Sequence, residues 1–343
     1  MLALGTAQWI PGVSKMLDRF RFYPVLLLVG VVVGLGAFVL RQSPTHARGF
    51  RFAQVPVALI TVAAFAGLYS TSQPKAGLVM SMRNFYGVVE VMKFPGITQL
   101  MHGRTLHGSQ LDPPRDRVPI TYYGARSGVG ILLQNHPKRS LGLGNMSIGV
   151  VGLGTGTIAA YGKLGDSIRY YDIDPDVVQL SAGDHPVFTF LKNSKAAVTT
   201  VLGDARLSLE EEAESGKPNR FDVLVLDAFS GDAVPTHLLT KEAFLAYTKH
   251  LDPQNGIIAV HITSRHVNLV PVLLAAATEM KASAIITHGA GRYPDIDALW
   301  FIMSPNTDVT TVPGLREISL QYVGAVGPRL WTDDYSDIFR LLY

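Results

Sequence analysis

Four short apolar runs in the second half of the chain end, one after another, on a glycine loop or an aspartate. SIGVV (147–151) leads into GLGTGT, IRYYD (168–172) stops on Asp172, AVTTVL (197–202) leads into Gly203 and Asp204, and FDVLVLD (221–227) stops on Asp227. A fifth run, GIIAVH, covers 256–261, and helical patterns occupy 241–249 and 267–280. Apolar runs of strand length alternating with helices imply a mostly parallel sheet with crossover connections. Ligands of such sheets bind outside the carboxyl ends of the strands. The successive endings therefore converge on one crevice.

The loop after the first run contains Gly152, Gly154, Thr155 and Gly156 and is expected to open a helix. Glycine lets a backbone turn sharply and come close to a ligand. Asp172, at the end of the next strand, is placed to accept from ribose hydroxyls, and Asp204 to accept from an adenine amino group. Helix capping or turn chemistry is the alternative use of both acids. The glycine spacing departs from the G-x-G-x-x-G dinucleotide fingerprint, which favours an adenosyl sulfonium ligand over a pyrophosphate. At the fourth ending, DAFSGDAVP supplies Asp227 and Asp232. Carboxylates there suit a cationic amine. An alkylammonium with a pKa of about 10 has no free lone pair at neutral pH, so a base must first take a proton. One of the pair is alternatively a cap for the following helix.

The front of the chain is different. Residues 23–40 and 52–69 are two runs of eighteen residues without a charge. As helices each would extend roughly 27 Å, close to the hydrocarbon thickness of a bilayer. Arginines flank both runs, and no small-residue cleavage site follows the first, which disfavours a signal peptide. A two-helix transmembrane hairpin is expected; buried core helices are the alternative. Residues 1–80 carry seven basic residues and one acid, leaving 23 basic and 26 acidic residues for the rest. The basic balance thus belongs to the front end, and the mildly acidic body does not suit nucleic acid. With no cysteine, disulfide scaffolds, thiolate zinc sites and cysteine nucleophiles are excluded. Between the spans and the α/β domain, YGVVEVM and the glycine- and proline-punctuated segment after it predict short antiparallel strands. The expected organisation is a transmembrane hairpin over 1–72, a small antiparallel β domain over 73–145, and a Rossmann-like, class I methyltransferase-type doubly wound sheet over 146–343.

RNFYGVVEV, TLHGSQ, VVGLGTGT, YYDIDPDVV, GDAR and LDAFSGDAVPTHLLTKEAF together resemble the spermidine synthases, or polyamine aminopropyltransferases. The likeness covers roughly residues 80–340 and points to the bacterial branch fused behind membrane helices. It implies that Asp227 deprotonates the attacking amine of putrescine and that Asp232 grips the diamine, although the two stand five residues apart rather than the family's usual three. It implies Asp172 for the ribose, Asp204 for the adenine, Gln110 over the donor, and Tyr122 or Tyr123 over the amine. The co-substrate implied is decarboxylated S-adenosylmethionine, which leaves as methylthioadenosine, with no metal. A homodimer and an inner-membrane, multi-pass protein with its catalytic domain in the cytoplasm are further expectations.

Two departures bear on the donor. The soluble enzymes usually carry an acid in the glycine loop, where this chain has Thr155, and the residues after Tyr123 are Gly124 and Ala125. Ordinary S-adenosylmethionine therefore stays open as donor. A methyltransferase, or another S-adenosylmethionine-consuming enzyme, is the second expectation, and a non-catalytic membrane sensor of polyamines or nucleosides the third. His102, His107 and His136 lack metal-ligand spacing and read as structural. His237 and His261 lie near strand ends, where either would reach substrate. Trp331 to Asp334 either closes over the pocket or only caps and packs.

Overall fold

Residues 78–111 alternate between apolar and polar side chains across glycine turns, and they fold as one antiparallel meander. Its strands are β1 (Leu78–Asn84), β2 (Gly87–Phe94), β3 (Ile97–His102) and β4 (Thr105–Leu111), hydrogen-bonded in chain order. This is a computed structural model, and it describes residues 75–103, 105–228, 235–264, 266–322 and 330–342. The two charge-free runs and Asp232 lie outside the described residues. Among the described residues, no helix is long and apolar enough to cross a membrane.

The second sheet is built from the runs read in the sequence. Its strands are β5 (Ser147–Val151), β6 (Ser167–Asp172), β7 (Ala197–Leu202), β8 (Val223–Leu226) and β9 (Ile257–His261), followed by β10 (Ser283–Gly289), β11 (Ala298–Ser304) and the short β12 (Ser319–Leu320). The spatial order is β12-β10-β11-β9-β8-β5-β6-β7. The strands from β7 to β9 pair in parallel, whereas β11 runs antiparallel to both β9 and β10. The sheet is therefore mixed, because the β10–β11 hairpin inserts its second strand beside β9. Strand β5 lies between β6 and β8, where the winding reverses, and this is where ligands of such folds bind.

Alternation along the central strands divides the core into two faces. Ile148, Val150, Val223 and Val225 pack with helix α1 (Gly128–Asn135) and with Val89, Val91 and Leu100 of the small sheet. Val151, Leu224, Leu226 and Val260 pack on the other face. There they meet α3 (Ala205–Glu214), α4 (Lys241–Lys249) and α5 (Val270–Glu279), and α2 (Pro175–Ala182) follows β6. Strands covered on both sides read as continuous apolar runs, which is why the sequence marks them so clearly.

Two segments differ from the sequence expectation. After the glycine loop the chain forms only a 3₁₀ segment, Thr157–Tyr161, instead of a full helix. Gly156 enters it in the left-handed region, and Gly162 and the turn to Asp166 end it within two turns. The small sheet stops at Leu111, and α1 packs beneath the large sheet, with Gly128 against Thr287 and Trp300.

Candidate active site

Gly152 and Gly154 decide how the strand ends meet. Gly152 has φ +95°, and a Cβ there would lie 2.2 Å from the backbone oxygen of Asp227. Gly154 has φ +51°, and its Cβ would lie 2.7 Å from the backbone oxygen of His107 on β4. Without side chains, the loop after β5 threads between the end of β8 and the small sheet. A cavity of about 200 Å³ opens beside it. The ends of β5 to β8 floor this cavity through Gly152, Asp172, Asp204 and Asp227. Its walls come from Tyr86, Leu100, His102 and His107 of the small sheet, from Tyr122 and Tyr123, and from His237 and Leu238.

Asp227, which directly follows β8, is nearly buried and is held from two sides. One carboxylate oxygen lies 2.8 Å from Nδ1 of His261 at the end of β9, and the other accepts the Tyr123 hydroxyl. Tyr123 is itself fixed through its backbone oxygen, which accepts from the Tyr161 hydroxyl at 2.5 Å. The Tyr122 ring stacks on the His261 imidazole at 4.4 Å between centroids and 8° between planes. Trp300 flanks the same imidazole at 4.9 Å and donates its indole N–H to the Tyr122 backbone oxygen. Burial, and then the Asp227 charge, hold both tyrosine hydroxyls well above the ordinary phenol range, so each remains a donor.

At the other end, Asp172 accepts from the backbone amides of Leu153 (2.7 Å) and Asp174 (2.9 Å). Burial outweighs these bonds and pushes its carboxyl up to about 6. Asp204 is the N-cap of α3, accepting from the Leu207 amide at 3.0 Å, and its second oxygen lies 3.0 Å from His237 Nε2. Capping and cavity lining thus coexist at Asp204. Asp174 caps α2 and takes the Asn84 side chain on one oxygen, while its other oxygen is buried without a hydrogen-bond partner.

Three of the predicted cofactor residues, Gln110, Thr155 and Gly156, stand away from this cavity. Gln110 is buried and ties β4 to its surroundings, accepting from the Thr189 amide and donating to the Asp116 backbone oxygen at 2.7 Å. Thr155 is fully buried, bonded to Thr157 at 2.9 Å, and would meet any Cβ added at Gly108. Gly156 likewise faces Leu191 and not the cavity. In the opposite direction, His102 and His107 read as structural in the sequence, yet both line the cavity. Burial lowers His107 to about 4, so it is neutral, and its Nε2 has no partner. His136 is structural, capping the turn at Lys138 and reaching the Asn255 backbone oxygen. Trp331 packs in the core and Asp333 pairs with Arg206, so this segment caps and packs. His261 carried a readable signal, since it closes the fifth apolar run as Asp172 and Asp227 close theirs. Asp174 is not among the residues predicted from sequence, where an aspartate ahead of Pro175 signals only a helix cap. Among the described residues, no group of three histidine or acidic side chains is arranged to hold a metal ion.

No family profile matches the chain. A polyamine aminopropyltransferase of Vibrio vulnificus is 28% identical over 165 residues, which cover 47% of this chain and 50% of that relative. The match therefore spans about half the length of the relative. Over that span the chain is similar to a polyamine aminopropyltransferase. Among solved structures, a probable spermidine synthase from Corynebacterium glutamicum aligns with a TM-score of 0.49 at 19% identity, over 68% of this chain and 81% of that one. An O-methyltransferase from Bacillus cereus, in complex with SAH, aligns with a TM-score of 0.34 at 18% identity, over 46% and 72%.

Proposed function

We propose that the chain is an aminopropyltransferase that moves the aminopropyl group of decarboxylated S-adenosylmethionine to a diamine such as putrescine. The observation that carries this reading is the charge of the cavity: Asp172, Asp174, Asp204 and Asp227 line it, and no lysine or arginine does among the described residues. Such a cavity favours cations and disfavours the carboxylate that ordinary S-adenosylmethionine carries. Decarboxylated donor and diamine are both cationic. The likeness to a polyamine aminopropyltransferase supports a transferase.

In this reading Asp172 receives the ribose and Asp204 the adenine amino group, and the sulfonium faces Asp227. An ammonium N–H of the diamine breaks and its proton passes to Asp227. The freed lone pair attacks the methylene carbon next to sulfur. The C–S electron pair stays on sulfur, and methylthioadenosine leaves as a neutral thioether. Positioning and the proton transfer supply the catalysis. Asp232 remains the second diamine contact in this reading. The runs at 23–40 and 52–69, with their flanking arginines, support two membrane spans and a domain on the cytoplasmic side, where adenosyl donors are made. The test is incubation of the purified full chain with putrescine and decarboxylated donor. Stoichiometric methylthioadenosine and spermidine are expected. Adenosylhomocysteine formed from ordinary S-adenosylmethionine, with no methylthioadenosine from the decarboxylated donor, would overturn the reading in favour of a methyltransferase.

A further inference from the structure

The hold on Asp227 continues beyond His261. Nε2 of His261 lies 2.8 Å from the hydroxyl of Thr263, and that hydroxyl oxygen also accepts the Leu299 amide at 2.9 Å. An ionised carboxylate only accepts hydrogen bonds, so the hydrogen between His261 and Asp227 belongs to Nδ1. In the neutral ring Nε2 is then an acceptor. Thr263 takes the Leu299 N–H on its oxygen and has its own hydrogen to give to Nε2. Every bond in the line from Leu299 to Asp227 thus has one consistent direction. The ring plane is fixed independently, by Tyr122 on one face and Trp300 beside it.

We propose that His261 is the positioning residue for Asp227, with its Nδ1–H tautomer set by Thr263 and the Leu299 amide. This rests on the aminopropyltransferase reading for its kinetic consequence and deepens the account of the same site. The imidazole keeps one oxygen of Asp227 turned away from the cavity, so the carboxylate meets the incoming ammonium in one orientation. His261 does not receive the ammonium proton, because Nδ1 already bears a hydrogen. The proton stays on Asp227 until product leaves and then passes to water through the open cavity. The division of labour resembles other active sites in which a second side chain fixes the geometry of the acid–base group.

The test uses the full chain with His261→Asn, His261→Ala, Thr263→Val and Thr263→Ser. The asparagine side-chain N–H stands where Nδ1–H stood, so His261→Asn is expected to keep kcat within about threefold. His261→Ala is expected to lose about 10- to 100-fold in kcat with little change in the amine KM, the usual worth of a hydrogen bond to a charged group. The acid limb of kcat is a readout that a merely structural role would not move. Among the described residues, the titratable groups around the ring include Asp227, Tyr122, Tyr123 and His107, and burial lowers the last to about 4. Removing a donor from a carboxylate makes it take up a proton more readily, so in His261→Ala the acid limb moves to higher pH. In His261→Asn it stays. Thr263→Val is expected to lower kcat about threefold to tenfold, and Thr263→Ser to restore it. Nitrogen-15 NMR of histidine reads the tautomer without turnover, and Nδ1–H is expected. A protein that shows this tautomer but makes no methylthioadenosine would overturn the transferase reading and leave the hydrogen-bond line standing. Overturning results for the proposal are an Nε2–H tautomer in the active protein, or His261→Asn as slow as His261→Ala with the acid limb unmoved.

Discussion

At the β6–β7 end of the cavity, Asp172 and Asp204 are held by backbone amides no more than 19 residues away, whereas at the β8–β9 end Asp227 is held by side chains 104 and 34 residues away. Backbone amides come with the turn that carries the acid, so the first end is fixed as soon as the loop after β5 and the start of α3 form. The second end exists only once the Tyr123 segment, β8 and β9 have all packed. In the proposed reading the locally built end binds the part of the donor that does not react, and the end built over long range meets the reacting atoms. Side chains can orient and tune a carboxylate individually, which amides of a turn cannot do without moving the chain.

The sharpest break in this comparison is at Asp227. Asp227→Asn keeps the shape and still accepts one donor, but it removes the proton acceptor. A kcat lower by about 10³-fold is expected, with donor binding nearly unchanged, as measured by methylthioadenosine release and by calorimetry with methylthioadenosine. Asp172→Asn tests the opposite end, where the loss is expected in affinity: about tenfold weaker methylthioadenosine binding, with kcat at saturation less affected. A pH dependence follows from the same residue. Burial pushes Asp172 up to about 6, above the value of an unfolded aspartate, so the folded protein takes up a proton as pH falls through that value. A protonated Asp172 loses an acceptor site for a hydroxyl, so nucleoside affinity is expected to fall between about pH 6.5 and 5. Over the same window this group favours folding at the lower pH, since stability from a raised pKa is present below the unfolded value and lost as pH rises through the folded one. Binding and stability are thus expected to move in opposite directions with pH, and Asp172→Asn abolishes both trends.

That contrast also explains what the sequence made legible. The strands β5 to β9 stand out as apolar runs because both of their faces are covered, and Asp172, Asp204 and Asp227 stand out because they end those runs. The antiparallel insertion of β11 leaves no such mark, since nothing in ALWFIMS says whether it enters beside β9 or at the edge. Tyr123 could be placed near the amine only through a resemblance, and its bond to Asp227 depends on two segments far apart in the chain. Gln110 and Thr155 show the converse. Both sit in motifs that look like ligand contacts, yet in the folded chain Gln110 faces the loop at Thr189 and Thr155 faces Gly108. His107 gave no local signal at all, because its neutrality and its unpartnered Nε2 are products of burial.

Asp174 lies between the two behaviours and sharpens the distinction. One oxygen caps α2 and also takes the Asn84 side chain, and the other is buried with no hydrogen-bond partner on a residue that lines the cavity. Asparagine is as good a cap as aspartate. Asp174→Asn, with its oxygen kept on the cap and on Asn84, is therefore expected to leave the melting temperature within about 2 °C while replacing the unpartnered acceptor with a donor. Methylthioadenosine affinity is expected to fall about threefold to tenfold, measured by calorimetry. An unchanged affinity, with the cap intact, would show that this oxygen makes no ligand contact.

The smallest effect is expected where the local scaffold alone is touched. Asp204→Ala removes the cap of α3 and the contact with His237, which is itself half-exposed. Loss of an N-cap costs about 1 kcal/mol, a fall in melting temperature of roughly 2–4 °C for a domain of this size. Asp204→Asn restores the cap, and with it the melting temperature, but it presents an amide where an adenine amino group needs an acceptor. If Asp204 only caps, the two variants bind methylthioadenosine equally and differ only in stability. If it also reads the adenine, both bind weakly while only the alanine variant melts early. Comparing the two separates scaffold from ligand contact at one residue, since the capping bond and the cavity contact use different oxygens of the same carboxylate.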